Sequence, residues 1–403
     1  MPVWLNTMDL PDSSAPTLQL VQASEPEIIE SSTLGSISWA GPLDTSNYLR
    51  REAHLRNQRL TRDGGITYWI LVDTAAPPTA RGSRRILASC ETIRKRALIA
   101  LPGVAIRETI CHGIGSVHCN QDHRGKGFGR RMMIELANTL DTWQQKEGER
   151  ADFSVLWSDI GKDFYAKLGW KTYSSKHIAL PPKSSHEHAL GIPTPVTLTS
   201  EDIDGICSTD EANLRSEMVK PTLAGSVVRV ALVPDAATMQ WHHSREEFLA
   251  KVLLGRWPNL KGAMAEGPDG RRVWCIWTRT FGSSQDQRVL NILRLSVEGE
   301  RSLGQPASSK PNDKLRDHAQ QAQVKAIAAV LQAAQVEAFD WGMSSVQFWN
   351  PSPQSVLAAR HLEPSAEIVE RHEESLASLR WHGRPMPDNA TIDWISNEKF
   401  AWC

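Results

Sequence analysis

Arg124-Gly125-Lys126-Gly127-Phe128-Gly129 follows the short strand-like run Ser116-Val117-His118-Cys119 and leads straight into a helical segment, Phe128 to Trp143. Glycines at alternate positions let the backbone pass close to a ligand, and the free N–H groups that open the next helix favour a bound anion. Arg124, Lys126 and Arg130 add positive charge at the same place. The stretch reads as a docking loop for a phosphate-bearing ligand, with a tight turn and no ligand as the plainer alternative.

A dinucleotide fingerprint needs such a turn after the first strand of a βαβ unit, and a P-loop needs GxxxxGK followed by Ser or Thr. Neither condition is met here. The pattern left is arginine-x-x-glycine-x-glycine, in which the loop grips the pyrophosphate of a coenzyme A thioester. Further on, Phe153-Ser154-Val155-Leu156-Trp157-Ser158-Asp159-Ile160-Gly161-Lys162-Asp163-Phe164-Tyr165-Ala166-Lys167-Leu168-Gly169-Trp170 reads as strand, loop, short helix and glycine stop. Phe153, Val155 and Trp157 alternate, and Gly169 sits where a helix C-cap is expected. Tyr165 is thereby placed on a helix beside the same ligand.

These two segments resemble the GNAT superfamily of N-acetyltransferases. The resemblance narrows to the fungal lysine N6-acetyltransferases through Ile86-Leu87-Ala88-Ser89-Cys90-Glu91-Thr92-Ile93-Arg94-Lys95-Arg96, Gly115-Ser116-Val117, Ser158-Asp159-Ile160-Gly161-Lys162, Trp349-Asn350-Pro351-Ser352-Pro353 and Asn397-Glu398-Lys399-Phe400-Ala401-Trp402-Cys403. It implies acetyl-CoA as co-substrate, held by Arg124, Gly125, Lys126, Gly127, Phe128, Gly129 and Arg130 together with Val117 and Cys119. It also implies a catalytic role for Tyr165 and, as acceptor, the side-chain amine of free L-lysine. Superfamily membership alone does not fix the acceptor. A polyamine, an amine-bearing fungal metabolite and a protein lysine stand as alternatives, as does a non-catalytic acetyl-CoA sensor or scaffold.

At 403 residues the chain exceeds the size at which single cores stop growing, so two domains are expected. Residues 1–16 are expected to form a flexible arm, 17–182 a GNAT acetyl-CoA-binding domain, and 183–196 a linker. For 197–403 the expectation is a second α/β domain, either a degenerate GNAT-like repeat without the cofactor motif or an unrelated α+β fold. Aligned on Trp157 and Trp349, Tyr165 falls opposite Leu357 and Gly169 opposite His361. The fold class is thus α/β with a mixed sheet. Expected strands are Leu18 to Val21, Ile66 to Asp73, Ile86 to Leu98, Val273 to Phe281, Val289 to Val297 and Ser344 to Trp349. Expected helices are Pro26 to Leu34, Ser46 to Arg62 and Asp317 to Val336, with a short one ending at Leu362.

The 45 basic and 46 acidic side chains leave a net charge of -1 without a basic block, which argues against nucleic acid as a partner. The six cysteines, Cys90, Cys111, Cys119, Cys207, Cys275 and Cys403, lack CxxC spacing, so reduced thiols and no metal site are expected. No leader pattern or membrane-spanning run is read, and a cytoplasmic location and a small-molecule amine partner are expected.

Amine acetylation requires an ammonium of pKa ~10.4 to lose a proton and a departing thiolate to be stabilised. Tyr165 is the candidate acid. Glu91 is a candidate base or ammonium receiver, with a salt bridge to Arg94 or Arg96 as the structural alternative. His118 is the second candidate base, or simply packs in the sheet. Backbone N–H groups near His118 and Cys119 are placed to bind the thioester carbonyl. Asp159 is read as a substrate contact or an N-cap, Arg94 as a candidate for the acceptor carboxylate, and the carboxylate at Cys403 as a candidate amine receiver.

Overall fold

The computed structural model describes residues 10–79, 82–145, 150–184, 191–220, 227–267, 270–299, 313–383, 386 and 390–402, with backbone alone for 313–319. The first part of the chain forms β1 (Leu18–Gln22), α1 (Glu25–Trp39), α2 (Thr45–Arg56), β2 (Ile66–Asp73), β3 (Ile86–Ala100) and β4 (Arg107–Cys119). It continues with α3 (Phe128–Leu140), β5 (Ala151–Ser158), α4 (Asp163–Ala166), β6 (Lys171–Thr172) and β7 (Lys176–Leu180). The second part forms β8 (Val196–Leu198), α5 (Ile203–Met218), β9 (Val227–Leu232), α6 (Ala236–Leu254), β10 (Gly262–Glu266), β11 (Arg272–Thr280) and β12 (Val289–Val297). Then come α7 (Asp313–Asp340), β13 (Ser345–Trp349), α8 (Pro353–Leu362), β14 (Val369–Glu370), β15 (Leu376–Trp381) and β16 (Thr391–Trp394).

Local chemistry sets several of these boundaries. Asp44 caps α2 by accepting the Asn47 N–H at 2.7 Å, and Asp235 caps α6 through Thr238 at 2.9 Å. The expected helix Ser46 to Arg62 stops at Arg56, where Asn57 leaves the helical region and its N–H turns back to His54 and Leu55 carbonyls. Gly255, at φ 63°, closes α6 in the left-handed conformation that glycine adopts without a steric penalty. The expected loose arm is held down over its described part. Arg131 on α3 donates to the carbonyls of Ser13 at 3.2 Å, Ala15 at 3.4 Å and Leu18 at 3.2 Å, and Leu10 and Ala15 pack on the α3 core.

With β9 and β16 set aside, the two parts repeat one order: strand, two helices, three strands, helix, strand, helix, two strands. The sheets repeat it as well. The first runs β1-β2-β3-β4-β5-β15-β6, and the second, read from its far edge, runs β8-β10-β11-β12-β13-β7-β14. The degenerate GNAT-like repeat fits this architecture better than an unrelated domain does. The final long strand of each unit is exchanged. β7 pairs with β13 in the second sheet, and β15 pairs with β5 in the first over Leu376↔Ser158 to Trp381↔Phe153. The stretches 17–182 and 197–403 therefore complete each other's sheets. Strand β9 adds a further link by pairing with the far end of β3.

The exchange is buried in a shared core. Phe153, Val155 and Trp157 of β5 pack with Leu379 of β15, Trp274 and Ile276 of β11, and Phe400. A second core joins the sheet of the second unit to α7 and α8, and a third joins α3 and α4 to the first sheet. Burying a large apolar side chain contributes ~1.5–3 kcal/mol, so losing β15 would expose several such residues and leave β5 as an open edge. Residues 1–182 expressed alone are expected to aggregate, and co-expression with 183–403 is expected to recover a soluble 1:1 complex on size exclusion. A monodisperse, cooperatively unfolding 1–182 fragment would contradict the exchange.

Candidate active site

Strands β4 and β5 run parallel and pair as far as Ile114↔Leu156, after which β4 continues to Cys119 without β5. The departure is built by a bulge. Opposite β3, Glu91 faces Gly115 while Ser89 faces His118, so two residues of β4 span one of β3, and Ser116 takes φ 51°. A bulge shifts the side-chain alternation by one residue. Ile114, Val117 and Cys119 accordingly all pack on the α3 side, and His118 turns to the other side, against Trp39 of α1 at 5.7 Å. The parted strands open a cleft of about 860 Å³ that reaches both faces of the sheet.

On the α3 side the cleft is lined by Arg124, Gly125, Gly127, Phe128, Gly129 and Arg130. Gly125 and Gly127 have φ of 76° and 86°, a region that strains any side chain. A Cβ at Gly127 would stand 2.7 Å from the Ser13 hydroxyl, whereas one at Gly125 or Gly129 would meet nothing within 4 Å. The backbone is thus bare where α3 begins and its first N–H groups face outward. Lys126 is exposed and lies outside the cleft lining. This loop fits a pyrophosphate: bare backbone, a helix start, and the two guanidinium groups of Arg124 and Arg130.

Tyr165 closes the same side from α4, its ring edge-on to Phe164 at 5.0 Å. Burial, then the nearby Cys90 and Asp159, push its phenol well above the ordinary range, so it keeps its proton. Asp159 is exposed and caps no helix; it accepts the Ser375 N–H at 2.8 Å and ties the loop after β5 to the start of β15. Burial, then the Arg124 charge, lowers the pKa of His118 and leaves its ring neutral.

Across the sheet the lining changes. Glu91 accepts the Ser116 hydroxyl at 2.9 Å, and its carboxyl is raised to about 7, first by burial and then by the charge of Glu52. The expected pairing with Arg94 or Arg96 is absent: Arg96 binds Glu211, and Arg94 lies on the opposite face. Strand alternation puts Arg94 with Thr92, whose hydroxyl accepts the Trp69 indole N–H at 2.9 Å on the α3 side, away from Glu91, Ile93 and Lys95. Arg94 is not part of the cleft lining, which corrects its reading as an acceptor residue.

Several lining residues were not anticipated. Tyr48, Arg51, Glu52 and Leu55 come from one face of α2, and Trp241 and Arg245 from one turn of α6. The spacing of residues 48, 51, 52 and 55 is a helical face that periodicity in the sequence shows, but what that face packs against is set by tertiary structure. Trp402 completes the wall. Its segment is docked: His242 contacts the Phe400 carbonyl at 3.0 Å, and the Lys95 ammonium donates to the Ala401 and Trp402 carbonyls at 2.7 and 3.2 Å. Cys403 lies outside the described residues.

The second unit repeats the parting but not the site. Pairing of β12 with β13 ends at Ile292↔Phe348, and three residues further on, where the first unit has Val117, the Leu295 N–H is taken by Glu398 at 3.0 Å. Glu398 also binds Arg294, which is held by Asp210 through two 2.8 Å bonds. The chain's own carboxylate occupies the strand edge, and exposed Leu357 on α8 stands in the sequence position matched to Tyr165. Among the described residues no cluster of His, Cys, Asp and Glu could hold a metal, and no helix is long and apolar enough to cross a membrane. Among the described residues no disulfide joins two cysteines.

Replacing Glu52 by Gln removes a negative charge near Glu91 and releases Arg51, which Glu52 binds at 2.6 Å. Both changes favour the carboxylate, so the Glu91 midpoint is expected to fall below 7 in a carboxyl-carbon NMR titration. An unchanged midpoint would show that burial alone sets it.

Known proteins resemble this chain in sequence and in fold. A family described as the LYC1 GNAT-like C-terminal domain matches residues 177–403. A lysine acetyltransferase of Yarrowia lipolytica is 23% identical over 330 residues, covering 73% of this chain and 79% of the relative. An uncharacterized protein of Saccharomyces cerevisiae is 26% identical over 180 residues, 39% of this chain and 44% of its own. Among solved structures, a probable N-acyltransferase of Enterococcus faecalis superposes with a TM-score of 0.51 at 11% identity, covering 91% of this chain and 73% of its own. The N-myristoyltransferase of Saccharomyces cerevisiae with bound myristoyl-CoA and inhibitors gives 0.50 at 9% identity, covering 94% and 83%. With the match spanning more than half its length, the chain belongs to the GNAT_LYC1-like family and is an acyltransferase of the GNAT N-acetyltransferase type.

Proposed function

We propose that this enzyme transfers the acetyl group of acetyl-CoA to the side-chain amine of free L-lysine, with both substrates bound at once across the parted strands. The observation that carries the reading is Glu91: a carboxyl raised to about 7 on one side of a gap whose other side is a pyrophosphate-type loop. The name of the Yarrowia lipolytica relative, lysine acetyltransferase, supports the acceptor class. The bound myristoyl-CoA of the N-myristoyltransferase neighbour is in keeping with a coenzyme A thioester in this fold.

When bound, acetyl-CoA supplies the thioester carbon and the sulfur leaving group. Arg124, Arg130 and the backbone from Gly125 to Gly129 would hold its phosphates, and the unpaired β4 edge near Val117 would receive the thioester carbonyl. The chain's own task is proton handling. A lysine ammonium near ~10.4 is a poor proton donor to an ordinary carboxylate, but a carboxyl raised to about 7 narrows that gap by some ~3 kcal/mol. Glu91 takes the proton directly or through water. Tyr165, held protonated on the coenzyme side, donates to the departing sulfur. His118 is a weaker base than a free imidazole and forms the wall with Trp39.

The sign of the pH dependence follows from Glu91 acting as the carboxylate. The rate kcat/KM should rise with pH through a midpoint near 7 and be lost as pH falls below it. Glu91→Gln should lower kcat/KM by about 100-fold and abolish that midpoint, and Tyr165→Phe should lower kcat by roughly 10- to 100-fold. Coenzyme A thiol release, followed from pH 5.5 to 9.5, is the measurement. A Glu91→Gln enzyme with the full rate and the same midpoint would remove Glu91 from the mechanism.

A further inference from the structure

The acceptor side of the cleft holds four charged side chains, and two of them neutralise each other. Arg51 binds Glu52 at 2.6 Å, reaches the Trp39 carbonyl at 3.3 Å and lies over the Tyr48 ring at 4.7 Å. Glu91 and Arg245 are left. The Arg245 guanidinium stands 5.7 Å from the Trp402 ring and makes no hydrogen bond or ion pair with a described residue. Burial and the neighbouring Arg51 lower its pKa to about 10, as expected of a cation lodged where negative charge is short.

The two unmatched charges are spaced along the cleft. Glu91 is fixed at the bulge by the Ser116 hydroxyl, and Arg245 lies beside Trp402. Both line the same cleft as the Arg51–Glu52 pair. We infer that Arg245 receives the α-carboxylate of the acceptor, so that the cleft selects an amino acid with a terminal side-chain amine over a bare amine. This rests on the proposed function and supplies its missing specificity element, since Arg94 faces the other way. A planar guanidinium can bind a carboxylate through two parallel N–H bonds, which a bare diamine cannot accept. Glu52, bound to Arg51 through Oε1 alone, has Oε2 available for an α-ammonium beside that carboxylate.

The test compares L-lysine with cadaverine, which keeps the amine and lacks the carboxylate, in the wild-type enzyme and in Arg245→Met. The ratio of kcat/KM for L-lysine over cadaverine is expected to drop by about 30-fold or more in the variant, the effect of removing one partner of a hydrogen-bonded charge pair. Arg245→Lys, with charge but no fork, is expected to fall between the two. Calorimetric titration with L-lysine and with 6-aminohexanoate, which keeps the carboxylate and lacks the α-amine, gives a readout independent of turnover. Both ligands should bind the wild-type protein and be weakened in Arg245→Met. An unchanged ratio, unchanged binding in the variant, or no binding of either ligand by the wild-type protein would each overturn the inference. Binding lost in Arg245→Met by a protein that acetylates neither amine would uphold the carboxylate receiver while refuting the proposed reaction.

Discussion

The parting of β4 from β5 is the constraint on which the rest of this molecule depends. A sheet that loses pairing in its middle exposes backbone N–H groups and an apolar interior, and each costs stability unless something else meets it. Here the gap is bounded above by α3 and α4, below by α1, α2 and α6, and held open by the bulge at Ser116. The second unit has the same parting, and there Glu398 satisfies the strand edge from within the chain. In the first unit the strand edge is left unpaired, and in the second a carboxylate takes it beside a cavity of about 580 Å³.

The exchange of β7 and β15 explains why such a gap is tolerated. β5 would otherwise be an edge beside an opening, the least protected place in a sheet. Pairing with β15 and packing against the second unit's tryptophans turn it into a central strand. The second unit therefore acts on the site in two ways. It stabilises the strand that carries Trp157, and through α6 and Trp402 it supplies one wall of the cleft. In electrostatic terms the two faces of the cleft differ: cations and bare backbone, which suit an anionic ligand, line one, and a raised carboxyl with a guanidinium that no described acid pairs lines the other.

What was legible in the sequence was local. The glycines at 125 and 127 were read as bare backbone, and the structure gives both the left-handed torsions that glycine adopts cheaply; the motif around Tyr165 placed that residue on its helix. Most strands of the first unit followed from alternation. The region between β8 and β10 did not, and α5, α6 and β9 were not anticipated. Arg94 was misplaced by a parity error, since residues 91 and 94 cannot share a strand face. The partners of Glu91 were hidden for another reason: Glu52 and Ser116 reach it through tertiary packing, which no spacing encodes. The strand exchange was equally invisible, because an alternating strand carries no mark of the sheet it will join.

The most direct measurement is initial-rate release of coenzyme A thiol by the purified 403-residue chain with acetyl-CoA and L-lysine, with the product located by tandem mass spectrometry. The account predicts saturable release with the acetyl group on the side-chain nitrogen. Release no faster than in the absence of amine, or acetyl found on the α-nitrogen, would contradict it.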